Sequence, residues 1–113
     1  MSTFGASSIR EIHPAELLNL IRAGQARMDQ VIDVRETSEW DYYRLEGARH
    51  IPMNSIPAFL HELDADQEWY IICAHGVRSL YVLGYMQEQG FGKLWNVMGG
   101  ISAAASELGF QYD

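Results

Sequence analysis

The chain has 113 residues, of which 48% are hydrophobic and 20% charged, and this composition favours one globular domain, residues 1–113, over a disordered or multidomain protein. Fifteen acidic and eight basic side chains give a formal charge of −7, which argues against nucleic acids and anionic membranes as partners. The one cysteine cannot form an internal disulfide, no apolar run approaches the roughly 18 residues of a membrane span, and the first residues lack a signal-peptide pattern, so we expect a cytoplasmic protein.

The predicted elements alternate between helices and strands. Helices are indicated by apolar residues at a spacing of three or four, and strands by short β-branched or aromatic runs. In chain order, we predict a helix over 13–24, a strand over 31–34, a helix over 37–43, a turn with an extended piece over 47–52, a helix over 55–63, a strand over 69–72, a helix from 79 to about 89, a strand over 94–97 and a helix over 101–108.

This alternation predicts an α/β fold with a mostly parallel sheet and helices on both faces. In such a sheet, ligands bind outside the carboxyl ends of the strands. Asp33 and Arg35 fall at the end of one predicted strand, and Cys73 follows another. Two strand ends therefore point to the same candidate site.

The segment from Cys73 to Ser79 carries the chemistry. It joins an apolar strand to a helix, so its backbone N–H groups can surround the Cys73 Sγ at the helix N-terminus. Helix amides and the Arg78 cation favour the thiolate, which is the nucleophilic form, and Gly76 permits a tight turn. Ser79 is predicted to cap the helix. We expect Cys73 and Arg78 to be catalytic and the rest of the loop to bind the substrate: Ala74, His75, Gly76, Val77 and Ser79.

A lone cysteine after a strand has a simpler interpretation as a small buried hydrophobe. The sequence around Cys73 favours a catalytic cysteine over this simpler interpretation. A strand, the cysteine, a glycine-centred turn and a helix follow one another in the order that a nucleophile at a helix N-terminus requires.

The loop has the pattern Cys-x-x-Gly-x-Arg-Ser. Three further segments stand in a fixed order around it: Ile32-Asp33-Val34-Arg35-Glu36 followed by Glu39-Trp40, then Gly47-Ala48-Arg49-His50-Ile51-Pro52, and Asn96-Val97-Met98-Gly99-Gly100-Ile101. With these four segments the chain resembles the rhodanese-like family of sulfurtransferases in its small single-domain form, and the resemblance covers nearly the whole chain. It implies a five-stranded, mostly parallel sheet, a persulfide on Cys73 as the covalent intermediate, and neither metal nor organic cofactor.

The chain departs from the family pattern after the double glycine. Many members have a tryptophan there, whereas this chain has Ala103, Ala104 and Ala105. We therefore expect a different pocket wall on that side.

Charged residues near the strand ends have two interpretations. Arg35 is assigned to the substrate site, where it would shape the entrance with Asp33, but we favour a structural ion pair between them, because half-buried charges need partners. His75 is expected to face solvent, and His50 to pack or to hydrogen-bond within its loop.

Two rival functions remain. Phosphatases and arsenate reductases of similar fold place five residues between cysteine and arginine, whereas four lie between Cys73 and Arg78 here, a tighter ring that favours sulfur. A non-catalytic rhodanese-like module that binds partners or senses stress is the other alternative, and the retained Cys73 disfavours it.

The function expected is transfer of a sulfane sulfur from a small donor such as thiosulfate to a thiol, cyanide or protein acceptor. With one cysteine in the chain, release of the sulfur has to be intermolecular, so the loop is expected to be partly open to solvent. The sequence leaves the donor, the acceptor and the oligomeric state open.

Overall fold

Five parallel strands form one sheet in the order β1-β5-β4-β2-β3 in a computed structural model that describes residues 9–112. The strands are β1 Ile9–Ile12, β2 Val31–Asp33, β3 Arg49–His50, β4 Trp69–Ile72 and β5 Leu94–Val97. The helices are α1 Pro14–Arg22, α2 Thr37–Tyr42, α3 Ile56–Phe59, α4 Arg78–Glu88 and α5 Gly100–Glu107. Short 3-10 turns occupy Met28–Gln30, Met53–Ser55 and Leu60–Glu62.

Helices cover both faces of this sheet, which confirms the predicted α/β fold. Alternate residues of β4 belong to different hydrophobic clusters because successive side chains of a strand point to opposite faces. Trp69 and Ile71 pack in the cluster that contains buried residues of α3 and α4, whereas Tyr70 and Ile72 pack with buried residues of α1 and α5. All four β4 residues are buried, as expected for a central parallel strand.

The carboxyl ends of β2 and β4 lie side by side. Asp33 pairs with Ile72, and the Val34 N–H donates to the Ile72 carbonyl at 2.9 Å. The residues after the two strands, Arg35 and Cys73, therefore leave the sheet at the same edge, as the sequence predicts.

Two predictions about elements fail. The edge strand β1 is not predicted, because its sequence Ile-Arg-Glu-Ile is short and two of its four residues are charged. The helix expected over 55–63 is divided into α3 and two 3-10 turns; Pro57, which has no N–H to donate, stands in the first turn of α3. Within residues 9–112, no helix is long and apolar enough to cross a membrane.

Candidate active site

Cys73 lies between the end of β4 and the start of α4, at the base of a turn of backbone amides. The Gly76 N–H donates to the Cys73 Sγ at 3.0 Å, and the backbone N–H groups of His75 and Ser79 add to its effect in lowering the pKa of the thiol. Gly76 adopts a φ of +95°, a conformation that residues with a Cβ rarely take, and this turns its amide inward. The loop thus forms the predicted N–H cradle.

The environment of the thiol favours its ionised form. Burial by itself raises the pKa of Cys73, but the hydrogen bond with the Ser79 side chain and those from the amides of Ser79, Gly76 and His75 outweigh burial and lower the pKa below its ordinary value. Cys73 is only 1% exposed, while His75 and Val77 are exposed. The middle of the loop is open to solvent, as expected, whereas the cysteine at its start is buried beneath it.

Ser79 acts in the site rather than as the helix cap. The N-cap of α4 is Val77, so the predicted capping role of Ser79 is wrong. Ser79 is fully buried, and its Oγ lies 3.5 Å from the Cys73 Sγ and 2.6 Å from Oδ1 of Asn96, to which it donates. Asn96 lies in β5, and spacing along the chain does not predict its contact with Ser79.

Arg78 is held by the Glu39 carboxylate of α2, a contact that spacing along the chain does not predict. Its Nη1 and Nη2 donate to Oε1 and Oε2 of Glu39, both at 2.8 Å. The hydrogen bond from Arg78 is the main cause that lowers the pKa of Glu39 to about 2, and Glu39 in turn raises the pKa of Arg78. Glu39 Oε1 also accepts the Glu36 N–H at 2.9 Å and so caps α2.

Arg35 is fully buried, which corrects its assignment to the substrate site. Its Nε and Nη2 donate to Asp33, Nη2 also to the Tyr43 carbonyl, and Nη1 to the Glu39 carbonyl and the Tyr112 hydroxyl. All five N–H groups are used inside the protein. The favoured alternative, a structural ion pair with Asp33, is what the geometry shows.

The two histidines lie as expected. His75 is exposed. His50 stacks on Trp40 with ring centroids 4.6 Å apart, and its Nε2 lies 2.8 Å from the Arg35 carbonyl oxygen. It therefore supports the backbone that follows β2.

The start of α5 supports the loop from behind. The Ile101 N–H donates to the Cys73 carbonyl at 2.8 Å, and the Ser102 N–H to the Ala74 carbonyl at 3.1 Å. Gly100, at a φ of +62°, lies against these carbonyls so closely that a Cβ would overlap them. Of the alanine stretch, Ala104 and Ala105 are buried, while Ala103 is half-buried and packs against Gly99.

The arrangement places a thiol of lowered pKa beside N–H donors that can stabilise a second, negatively charged sulfur attached to it. Among residues 9–112, no cluster of three or more His, Cys, Asp or Glu side chains is suited to a metal ion.

Comparison with known proteins gives a consistent family assignment. Residues 13–107 match the model of the rhodanese-like domain. The chain is 41% identical over 99 residues to the putative sulfurtransferase YtwF of Bacillus subtilis, covering 88% of this chain and 93% of that protein. It is 32% identical to the thiosulfate sulfurtransferase GlpE of Glaesserella parasuis, covering 87% and 89%. The crystal structure of a rhodanese-like domain protein from Staphylococcus aureus superposes with a TM-score of 0.76 at 34% identity, covering 84% and 90%.

Proposed function

The chain belongs to the rhodanese-like family of sulfurtransferases, and we propose that it carries a sulfane sulfur as a persulfide on Cys73. The observation that carries this proposal is the contact of the Gly76 N–H with the Cys73 Sγ at 3.0 Å, in a cradle that lowers the pKa of the thiol. A buried structural cysteine needs no such donors.

Loading of the enzyme is a displacement at sulfur. The Cys73 thiolate attacks the outer sulfur of the donor, a new S–S bond forms, and the donor's own S–S bond breaks. With thiosulfate, E–S⁻ and S–SO₃²⁻ give E–S–S⁻ and sulfite, SO₃²⁻, so charge and atoms balance. The outer sulfur then carries the negative charge, which the amides of the loop are oriented to stabilise.

Unloading uses an external acceptor. A thiolate attacks the outer sulfur, takes it as its own persulfide, and leaves the Cys73 thiolate for the next cycle; cyanide leaves as thiocyanate in the same way. The exposed residues His75 and Val77 offer the side from which donor and acceptor approach. We place the protein in the cytoplasm, where a lone thiol nucleophile stays reduced.

Intact-mass measurement tests the proposal. After exposure to a sulfane donor, the protein is expected to gain the mass of one sulfur atom and to lose it on addition of cyanide. Cys73→Ser is expected to gain nothing while keeping the fold, because a hydroxyl fits the space but forms no persulfide. A wild-type protein that never gains the sulfur with any donor contradicts the proposal.

A further inference from the structure

Cationic side chains at the active-site edge are few and all are paired. The chain has eight Lys and Arg residues, and all of them fall within residues 9–112. Only Arg35 and Arg78 follow the carboxyl ends of β2 and β4. The other six lie within or before strands, or near helix ends: Arg10, Arg22, Arg27, Arg44, Arg49 and Lys93.

Both edge cations have their charge compensated by a carboxylate. Arg35 is fully buried with Asp33. Arg78 is half-buried, and both of its terminal nitrogens are bound by the Glu39 carboxylate at 2.8 Å, so the charges of that pair cancel next to the loop. The whole chain adds a formal charge of −7 around this neutral pair.

From this geometry we infer that Glu39 is a specificity-determining residue. By neutralising Arg78, it directs the site toward sulfane donors of low negative charge, such as the persulfide of a thiol, and away from dianions such as thiosulfate. This inference rests on the proposed transfer of sulfur through Cys73 and names the class of donor for that step. Glu39 acts through Arg78 and takes no part in the displacement.

The reaction with the favoured class balances without any co-reactant. The Cys73 thiolate attacks the outer sulfur of R–S–S⁻, the donor's S–S bond breaks, and E–S–S⁻ and the thiolate R–S⁻ result. The reacting groups of each side bear two negative charges. In the reaction with thiosulfate, three negative charges crowd the site before and after the transfer, and no unpaired Arg or Lys within residues 9–112 stands at this edge to offset them.

Two donors that differ in charge and little in shape provide the test. Thiosulfate is a dianion, and methanethiosulfonate, CH₃SO₂S⁻, is a monoanion in which a methyl group replaces one oxygen; its transfer leaves methanesulfinate. Loading rates with each are measured in the wild type and in Glu39→Gln. The glutamine keeps an oxygen that can accept from Glu36 and Arg78, so α2 stays capped. Asp41→Asn, at an exposed position of α2, removes the same charge while the ion pair between Arg78 and Glu39 stays in place, and it is the matched control.

We expect kcat/KM of Glu39→Gln to rise about tenfold with thiosulfate and about threefold with methanethiosulfonate, because the repulsion removed scales with donor charge. The ratio of the two donors therefore changes about threefold, whereas Asp41→Asn leaves it nearly unchanged. Alkylation by uncharged iodoacetamide, measured alongside, reports any general change in thiolate reactivity, which affects both donors equally.

A second measurement uses the wild type alone. If the Arg78 charge is neutralised, added salt will not slow loading by thiosulfate; a steep decrease would reveal a free cation and overturn the inference. An unchanged donor ratio in Glu39→Gln, with sulfur loading intact, overturns the inference but leaves the proposed function standing. Absence of loading with every donor removes the proposed function and the inference together.

Discussion

The Ser79 hydroxyl has one hydrogen and two neighbours that can accept it, Oδ1 of Asn96 at 2.6 Å and the Cys73 sulfur at 3.5 Å. When Asn96 presents its carbonyl, it holds that hydrogen, and Ser79 accepts the S–H of the thiol. An amide in the opposite orientation would donate its NH₂ to Ser79 and leave the hydroxyl free to donate to the thiolate. A carboxylate has no such alternative, because it carries no hydrogen to donate.

Asn96→Asp is expected to raise the pKa of Cys73. A carboxylate only accepts hydrogen bonds, so it keeps the Ser79 hydrogen, and it adds a buried negative charge close to the sulfur. We expect alkylation by iodoacetamide at neutral pH to slow about tenfold, which corresponds to a rise of about one pKa unit. The pH profile of alkylation measures this shift directly, because Cys73 is the only cysteine.

Asn19→Asp provides the control for this charge change, since Asn19 is exposed on α1. It adds the same charge at the surface and should leave the alkylation profile in place. If both variants give the wild-type profile, Asn96 has no influence on the thiol.

At the scale of elements, contiguous features of the sequence were predictable and pairings between elements were not. The bounds of β4 and β5 match the predicted 69–72 and 94–97, because each is a largely buried run of four residues. Cys73 and Gly76 were found because one loop contains both. Glu39 and Asn96 come from α2 and β5, and their contacts depend on how these elements pack, which spacing along the chain does not encode.

Gly100→Ala is expected to lower the free energy of unfolding by more than about 2 kcal/mol. Its φ of +62° disfavours a side chain, and a Cβ would overlap the carbonyl oxygens of Cys73 and Ala74, which hydrogen-bond to α5. Relief of that overlap has to move either α5 or the end of β4. Urea unfolding measures the loss, and the alkylation rate of Cys73 reports any displacement of the loop.

Gly109→Ala separates the overlap from the backbone strain. Gly109 also has a positive φ, +85°, but a Cβ there meets nothing within 4 Å. It should cost only about 1 kcal/mol for the left-handed conformation. Equal losses in the two variants would show that the close approach of α5 to β4 contributes no stability.

The ion pair between α2 and α4 should make stability depend on pH. The folded pKa of Glu39 is about 2, against an ordinary 4.5, so the pair stabilises the fold fully above the ordinary value and loses that contribution as pH falls toward 2. Discounted for partial exposure, the contribution at pH 7 is about 1 to 2 kcal/mol.

Urea unfolding of wild type and Glu39→Gln at several pH values tests this linkage. The wild type is expected to be more stable at pH 7, and the difference should shrink steadily between about pH 5 and pH 2, the window set by the two pKa values. A difference that stays constant through that window would mean that ionisation of Glu39 is not coupled to folding.

At the scale of the whole molecule, one thiol and an excess of acidic side chains govern how the sulfur leaves. The chain offers no second cysteine to attack a persulfide on Cys73, so a loaded protein should keep its sulfur until an external acceptor arrives. The formal charge of −7 acts on every acceptor that approaches. It attracts cationic acceptors and repels anionic ones over about 10 Å at ordinary ionic strength.

Three small thiols of different charge test this steering of the acceptor. The loaded protein, freed of donor, is mixed with cysteamine, 2-mercaptoethanol or 3-mercaptopropionate, and loss of the added sulfur is followed by intact mass. Because the thiols differ in intrinsic reactivity, each is compared with itself at low and high salt. Screening should slow unloading by the cationic cysteamine, accelerate it for the anionic 3-mercaptopropionate, and leave neutral 2-mercaptoethanol nearly unchanged.

Without any thiol, the adduct should persist throughout. The same salt response for all three thiols would show that the net charge does not act at the site, and spontaneous loss of sulfur would show that release needs no acceptor.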